Sequence, residues 1–263
     1  MLKCSLVITT YNNVDYLGLT LKSLLQQSHY PDEVLIADDG SSDETRLFIE
    51  RYKRDAPFVV RHIWHEDKGF RAGMIRNKAI AASQYDFIII IDGDLVLHKD
   101  FIEDYLVNAE PGTYLQGNRL RLNEEQTKRY VKQSKTKYSL FELRFDRLPK
   151  KIHNRLLSRI TSVTSEKPLS ISSCSQGHFK KAILAVNGFN DDFIGWGCED
   201  SELLWRLINN KVKCKFMKFC AIAYHLDHPH RKNEDQHSRN IEIEKETRRN
   251  KIIYCENGID KYL

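Results

Sequence analysis

Short unbroken apolar runs alternate along this chain with longer stretches in which apolar residues recur every three or four positions. The clearest run is Phe87-Ile88-Ile89-Ile90-Ile91. A β-branched stretch without polar alternation reads as a central strand covered on both faces, and such strands belong to parallel sheets flanked by helices. Leu6-Val7-Ile8 and Val34-Leu35-Ile36-Ala37 read the same way, and a further strand is expected over 58–63. Between the first two, Val14, Leu17, Leu21, Leu24 and Leu25 line one stripe of a helix over 14–28, which Pro31 and Asp32 break. Ser41 and Glu44 have the spacing of a capping box for a helix over 43–53. Met74, Ile75, Ala79 and Ile80 mark a third helix ahead of the long apolar run. This β-α-β-α order predicts a parallel sheet.

The second half is less regular. A helix over 101–109 and a strand over 114–117 are expected, followed by a basic amphipathic segment, 124–165, in which Tyr130, Tyr138, Leu140, Phe141, Leu143 and Phe145 sit among Lys and Arg. After Ser170 come a short strand, a helix over 179–186 and a helix over 200–210 that buries Leu203, Leu204, Leu207 and Ile208. A last strand is expected over 215–224, ending at His225. Residues 231–263 are polar, with Ile241, Ile252, Ile253 and Tyr254 as their few anchors. They read as a surface helix or a loosely held tail.

A length of 263 residues is ample for one large α/β domain. The net charge of +5 and pI near 8.8 suit anionic partners without choosing among nucleotides, lipid head groups and nucleic acid. The excess is local: between Lys128 and Arg159 only Glu142 and Asp146 oppose the basic residues. No apolar stretch is long enough to cross a bilayer and the first residues show no signal-peptide pattern, so a cytoplasmic protein is expected. Six cysteines without a Cys-x-x-Cys pair read as reduced thiols.

Asp92-Gly93-Asp94 stands where the central apolar run ends. In open α/β sheets ligands bind beyond the carboxyl ends of the strands. Two carboxylates there, separated by a glycine that lets the backbone come close, suit a hard divalent cation bridging to phosphate. The same three residues also serve as a plain turn.

Four strand-end motifs decide between these readings. Val7-Ile8-Thr9-Thr10-Tyr11-Asn12, Ala37-Asp38-Asp39-Gly40-Ser41-Ser42-Asp43, the stretch from Lys68 through Asn77, and Asp92-Gly93-Asp94 follow one another in the order found in family 2 glycosyltransferases with the GT-A fold, which this chain resembles. The stretch from Gly188 to Asp200, with Gly195-Trp196-Gly197-Cys198-Glu199-Asp200 at its end, is similar to the acceptor and base motif of chondroitin-polymerase-type enzymes and vertebrate β-1,4-galactosyltransferases. The resemblance implies a Rossmann-like, mostly parallel central sheet flanked by helices, and it covers a transferase domain over 1–230; the basic helical insertion expected at 124–165 and the polar tail over 231–263 match nothing in the family. Within the domain, 1–118 forms the nucleotide-sugar half and 119–230 the acceptor half.

By the same resemblance Thr9 and Tyr11 contact uracil and Asp39 accepts a hydrogen bond from its imide N–H, while Arg71 or Arg76 holds the donor phosphates. Asp92 meets the ribose or a metal-bound water, and Asp94 and His225 ligate Mn²⁺, with Mg²⁺ as the weaker option. Asp200 is the base that takes the acceptor hydroxyl proton, and Glu199 binds an acceptor hydroxyl. The plainer alternatives are that Asp38 and Asp39 form a helix-capping turn and that Glu199 and Asp200 merely cap a helix. Trp196, between two glycines, is placed to offer a flat face to a sugar ring. Cys198 stands where many relatives carry glycine. His225, His228 and His230 could also be read as a zinc cluster, but no cysteine pair completes four ligands; His228 and His230 are expected at the surface or against the acceptor.

The expected reaction is inverting, metal-dependent transfer from a UDP-sugar to a hydroxyl of a glycan or lipid-linked glycan, forming a β-linkage in the assembly of a bacterial surface polysaccharide, lipopolysaccharide or capsule. The basic segment is expected to touch anionic membrane lipid or an anionic glycan, giving a peripheral location at the inner membrane face, and no nucleic acid is expected. A sugar nucleotidyltransferase would show a glycine-rich signature where this chain has Thr9-Thr10-Tyr11-Asn12-Asn13. A non-catalytic binder would have no need for Asp39, Asp94, Asp200 and His225 together.

Overall fold

The computed structural model describes residues 2–137, 152–169, 174–229 and 233–263. Strands β1 (Cys4–Thr10), β2 (Glu33–Asp38), β3 (Val59–Trp64) and β4 (Phe87–Asp92) are parallel, in the order β3-β2-β1-β4. The crossovers are α1 (Val14–Leu24), α2 (Asp43–Asp55) and α3 (Ala72–Ala82). Alternate strand residues feed two cores. Leu6, Ile8, Ile89 and Ile91 join Leu17, Leu21 and Leu24 of α1 on one face. Val7, Leu35, Ile88 and Ile90 join Ile75, Ala79 and Ile80 of α3 on the other. That two-sided cover is why the apolar runs show no alternation.

After β4 the chain makes β5 (Leu95–Leu97), α4 (Phe101–Asn108), β6 (Thr113–Gln116), β7 (Asn118–Arg121) and α5 (Glu124–Gln133). Next come α6 (Arg155–Thr161), β8 (Val163–Ser165), β9 (Ser175–Phe179), α7 (Lys180–Ala185) and α8 (Glu199–Asn209). The last elements are β10 (Lys213–Phe216), β11 (Ile222–His225), α9 (Glu234–Asn250) and a 3-10 turn at Ile259–Tyr262. The main sheet runs β3-β2-β1-β4-β9-β6-β10-β8, and a small sheet runs β5-β11-β7. The sheet is parallel through β4; β9 then lies antiparallel to both β4 and β6. It is therefore mixed, as the expected mostly parallel sheet allows.

Three expectations are corrected. The strand expected over 215–224 is two strands in two sheets. Between them Phe219 and Ala221 take φ of +58° and +48°, and Asn118 Nδ2 donates to the carbonyls of Met217 and Cys220, holding the turn. The capping box at Ser41 does not form: the Ser41 hydroxyl accepts the Asn12 N–H at 2.8 Å, and the helix starts after Ser42. The C-terminal region is not loosely held. Helix α9 packs on α8 with Asn240 and Thr247 buried, and Ile259 is buried in the α3 core.

Strands β5, β7 and β8 went unforeseen, because three- and four-residue strands carry too little pattern. All six cysteines are free. Tyr138, Leu140, Phe141, Leu143 and Phe145 lie outside the described residues, as does His230. No helix among the described residues is long and apolar enough to cross a membrane.

Candidate active site

Strand register brings the carboxyl-end polar residues together before any side chain is considered. Thr9 of β1 pairs with Asp92 of β4, and Thr10 with Asp38 of β2. The Gly93 N–H donates to the Thr9 carbonyl at 2.8 Å. A Cβ on Gly93 would stand 2.9 Å from that same oxygen, so only glycine permits this approach.

Asp39 is buried at the end of β2. Its Oδ1 lies 2.7 Å from His65 Nε2, and its Oδ2 accepts the Arg71 N–H at 2.8 Å. Asp38 has a structural role, accepting the Ser41 N–H and meeting His62 Nε2. Tyr11 is exposed, its hydroxyl donating to Asp67 Oδ2 at 2.8 Å. That bond, with the Gly69 N–H, holds Asp67 below the usual carboxylate range. The Arg71 side chain reaches the Glu66 carbonyl and the Met74 sulfur rather than a carboxylate.

Arg76 is the hub. Although buried, its guanidinium donates to Thr9 Oγ1 at 2.9 Å, to Asp92 Oδ1 at 2.9 Å, to Glu199 Oε1 at 3.2 Å and to Asp200 Oδ1 at 3.1 Å. Burial opposes its charge, but the carboxylates of Asp200, Asp92 and Glu199 hold its pKa above the ordinary value. One side chain thus joins the β4 end to the start of α8. Burial raises Asp92 despite the Arg76 charge. It raises Asp200 well above the usual range, with Arg76 working against the shift and Glu199 adding to it.

Asp94 belongs to a second cluster. The small sheet sets His225 opposite Leu95, and the Leu226 N–H donates to the Asp94 carbonyl at 3.0 Å. Asp94 Oδ2 then lies 3.5 Å from His225 Nε2 and 3.1 Å from His228 Nε2. Burial works to raise Asp94, but the His228 hydrogen bond and both imidazoles prevail and lower it. The Asp94 bond lifts His228 to about 8, against burial. Burial lowers His225, against the pull of Asp94. Asp94 Oδ1 is buried with no hydrogen-bond partner. One carboxylate and two imidazoles whose ligand atoms lie within 4.8 Å, with an unsatisfied oxygen, fit a divalent cation.

The loop before α8 holds the remaining candidates. Gly195 and Gly197 take φ of +81° and +105°, and Cys198 takes +72°, the left-handed region that glycine enters without cost. Asn240 Nδ2 from α9 reaches the carbonyls of Ile194, Gly195 and Gly197. Trp196 is half-buried, its ring 5.4 Å from that of His237. Glu199 and Asp200 open α8.

The structure therefore unites Thr9, Arg76, Asp92, Glu199 and Asp200 in one network, and Asp94 with His225 in another. Tyr11, Arg71 and Trp196 stand outside both. His65 was missed by sequence reasoning, and His228 sits on Asp94 where a surface or acceptor position was expected. The sequence offered only the place of His65 just after the third expected strand; its meeting with Asp39 comes from the register that pairs Trp64 with Asp38.

A parallel sheet with Asp39 and Asp92-Gly93-Asp94 at its carboxyl edge, joined to a small sheet that returns a histidine to Asp94, is the architecture of a GT-A glycosyltransferase. Residues 5–166, more than half of the chain, match the family model described as Glycosyl transferase family 2, and the chain belongs to that family. Residues 170–230 match the model described as the N-terminal domain of galactosyltransferase. Among curated relatives, the hyaluronan synthase of Pasteurella multocida is 26% identical over 95% of this chain and 27% of its own length. The chondroitin synthase of Escherichia coli is 25% identical over 95% of this chain and 38% of its own length. This chain thus spans well under half of either synthase.

Among solved structures, S. aureus TarS 1-349 in complex with UDP aligns with a TM-score of 0.65 at 16% identity, covering 99% of this chain and 68% of that one. The mannosyltransferase PcManGT from Pyrobaculum calidifontis, in complex with GDP-Man and Mn²⁺, aligns with a TM-score of 0.56 at 16% identity, covering 85% of this chain and 56% of that one. At these identities the likeness shows the fold.

Proposed function

We propose that this glycosyltransferase moves a sugar, with inversion, from a UDP-sugar to a hydroxyl of a glycan or lipid-linked glycan acceptor, as a step in surface-polysaccharide synthesis. The observation that carries the reading is the Arg76 network, in which one buried guanidinium holds Asp92 at the β4 edge and Asp200 at the start of α8.

In this reading the Asp200 carboxylate takes the proton of the acceptor hydroxyl as its oxygen attacks the anomeric carbon, and the sugar–phosphate bond breaks on the opposite face, releasing UDP. The burial that raises Asp200 makes it a stronger base than an exposed carboxylate. Arg76 is a positioning residue: through its contacts with Thr9, Asp92, Glu199 and Asp200 it orients Asp92 and Asp200. Glu199 orients the acceptor, and Trp196 offers it a ring face. Asp39, held by His65 and the Arg71 N–H, presents a carboxylate to the uracil imide, and Thr9 and Tyr11 flank the base. Asp94, His225 and His228 would hold Mn²⁺ or Mg²⁺, which when bound supplies positive charge against the diphosphate. A peripheral location on anionic lipid belongs to the same reading.

The relatives' names support glycan polymer synthesis, and the UDP bound to TarS supports a uridine donor. The test is UDP release from a panel of UDP-sugars with Mn²⁺, with EDTA and with Asp94→Ala. Metal-dependent turnover of one donor, abolished in the variant, is expected; neither turnover nor UDP binding with any donor would sink the reading.

A further inference from the structure

Strand β11 ends at His225, yet His228 also reaches Asp94. Side chains alternate across a strand, so residues three apart on an extended chain face opposite ways. Both imidazoles can meet one carboxylate only because the backbone leaves the strand between them. What holds that departure is therefore what completes the three-residue cluster.

Asp227 sits at the departure, and side chains from two helices take its backbone groups. The Thr127 hydroxyl of α5 accepts the Asp227 N–H at 2.8 Å, and the Tyr16 hydroxyl of α1 donates to the Asp227 carbonyl at 2.8 Å. The residue before it is fixed as well: the Leu226 N–H donates to the Asp94 carbonyl at 3.0 Å, and the Leu226 side chain is buried with Leu19, Val96, Leu120 and Tyr130. Thr127 is itself buried, on the same helix as Tyr130. Helix α1 also reaches the end of α5, Lys22 Nζ donating to the Ser134 carbonyl at 2.8 Å and Gln26 Nε2 to the Thr136 hydroxyl at 2.8 Å. The turn is thus held from two helices that are themselves tied together.

Within this turn His228 is oriented for a metal. Its Nε2 lies 3.1 Å from Asp94 Oδ2, and its Nδ1 lies 3.2 Å from the Pro229 carbonyl. A proton kept on Nδ1 by that carbonyl leaves Nε2 as the ligand atom. The His225 and His228 rings are tilted by 42° with centroids 5.2 Å apart, so both Nε2 atoms converge on Asp94 Oδ2 without the rings stacking.

We propose that Tyr16 and Thr127 are positioning residues of the metal centre: by holding the backbone of Asp227 they bring His228 to the His225 side of Asp94 and turn a two-ligand site into a three-ligand one. The inference rests on the assignment of Asp94, His225 and His228 to a divalent cation. It gives the start of the basic segment, where Thr127 lies, a role inside the site.

Mn²⁺ binding to the full chain, followed by the electron paramagnetic resonance signal of the free ion, tests this without turnover. Thr127→Val and Tyr16→Phe remove the hydroxyls and keep the shapes; combined, they should weaken Mn²⁺ binding at least roughly tenfold, towards the affinity of His228→Ala. Thr127→Ser keeps the hydroxyl and should bind Mn²⁺ as the unsubstituted chain does. In a His228→Ala background neither Thr127→Val nor Tyr16→Phe should weaken binding further, because the ligand they position is gone, whereas a general loosening of the fold would weaken it again. Unchanged Mn²⁺ affinity in the combined variant, or a further loss in the His228→Ala background, overturns the inference and leaves the metal centre standing. An unsubstituted chain that takes up no Mn²⁺ overturns both.

Discussion

Arg76 shows how a single residue can set the character of a site. Removing three carboxylates from water is costly, and a buried charge is tolerated when it is paired and hydrogen-bonded. Here one guanidinium serves Asp92, Glu199 and Asp200 at once, which a lysine's point charge could not do in three directions with planar geometry. Asp200 is left with fewer compensating contacts than its burial demands, so its proton affinity rises. The consequence is a pH profile. Protonated Asp200 cannot accept the acceptor's proton, so kcat/KM should climb as pH rises through the raised pKa, with an acid limb above the ordinary carboxylate range. Asp200→Asn should lower kcat by about 10²–10⁴-fold and leave UDP affinity unchanged; steady-state kinetics and UDP titration check both halves. An acid limb near pH 4 with an active Asn variant would remove Asp200 from the role of base.

Most of these residues were legible individually. Asp39, Asp92, Asp94, Asp200 and His225 stand at element ends, where the apolar pattern stops and a carboxylate or imidazole has no packing reason to be. Their partners were not legible. That His65 meets Asp39, and that Arg76 faces acids 16, 123 and 124 positions away, depends on register and helix placement.

At the scale of elements, α9 does more than cover the surface. Trp205 Nε1 donates to Glu244 at 3.0 Å, and Thr247 Oγ1 donates to Glu202 at 3.0 Å, so α9 is fixed along α8. Its Asn240 then reaches back to the glycine loop. Gly195, Gly197 and Cys198, the left-handed positions on either side of Trp196, would otherwise be free to move. Asn240→Ala should leave those carbonyls without their donor, lowering stability by about 1–3 kcal/mol and raising the acceptor KM more than the donor KM. Denaturant midpoints and two-substrate kinetics check this; an unchanged acceptor KM would mean the loop is held by other contacts. The polar composition of 231–263 hid this packing, because α9 is anchored by Asn240, Thr247 and hydrogen bonds rather than by an apolar stripe.

At the scale of the whole molecule, the basic excess coincides with one group of exposed apolar residues. Leu156 and Ile160 of α6 are 68% and 74% exposed and alternate with Arg155 and Arg159, within the stretch of chain richest in Lys and Arg. Apolar side chains flanked by cations suit the interface of an anionic bilayer. Sedimentation with liposomes should show binding that grows with anionic lipid and falls with salt, weakened by Ile160→Glu. Binding indifferent to lipid charge would remove the membrane role.

The sequence by itself determined the strands and helices from β1 through β4 and the chemistry at their ends, because a strand buried on both faces and a helix buried on one each leave a period that local reading detects. It also carried the family resemblance through residue 230. The tertiary structure decided what depends on distant parts of the chain. It split 213–225 between two sheets, set His228 beside Asp94, turned Arg76 inward to three carboxylates, and brought Tyr16 and Thr127 to the backbone of Asp227. Strand register and helix packing fix these meetings, and both arise from burying surface between segments far apart in sequence, which no local pattern encodes.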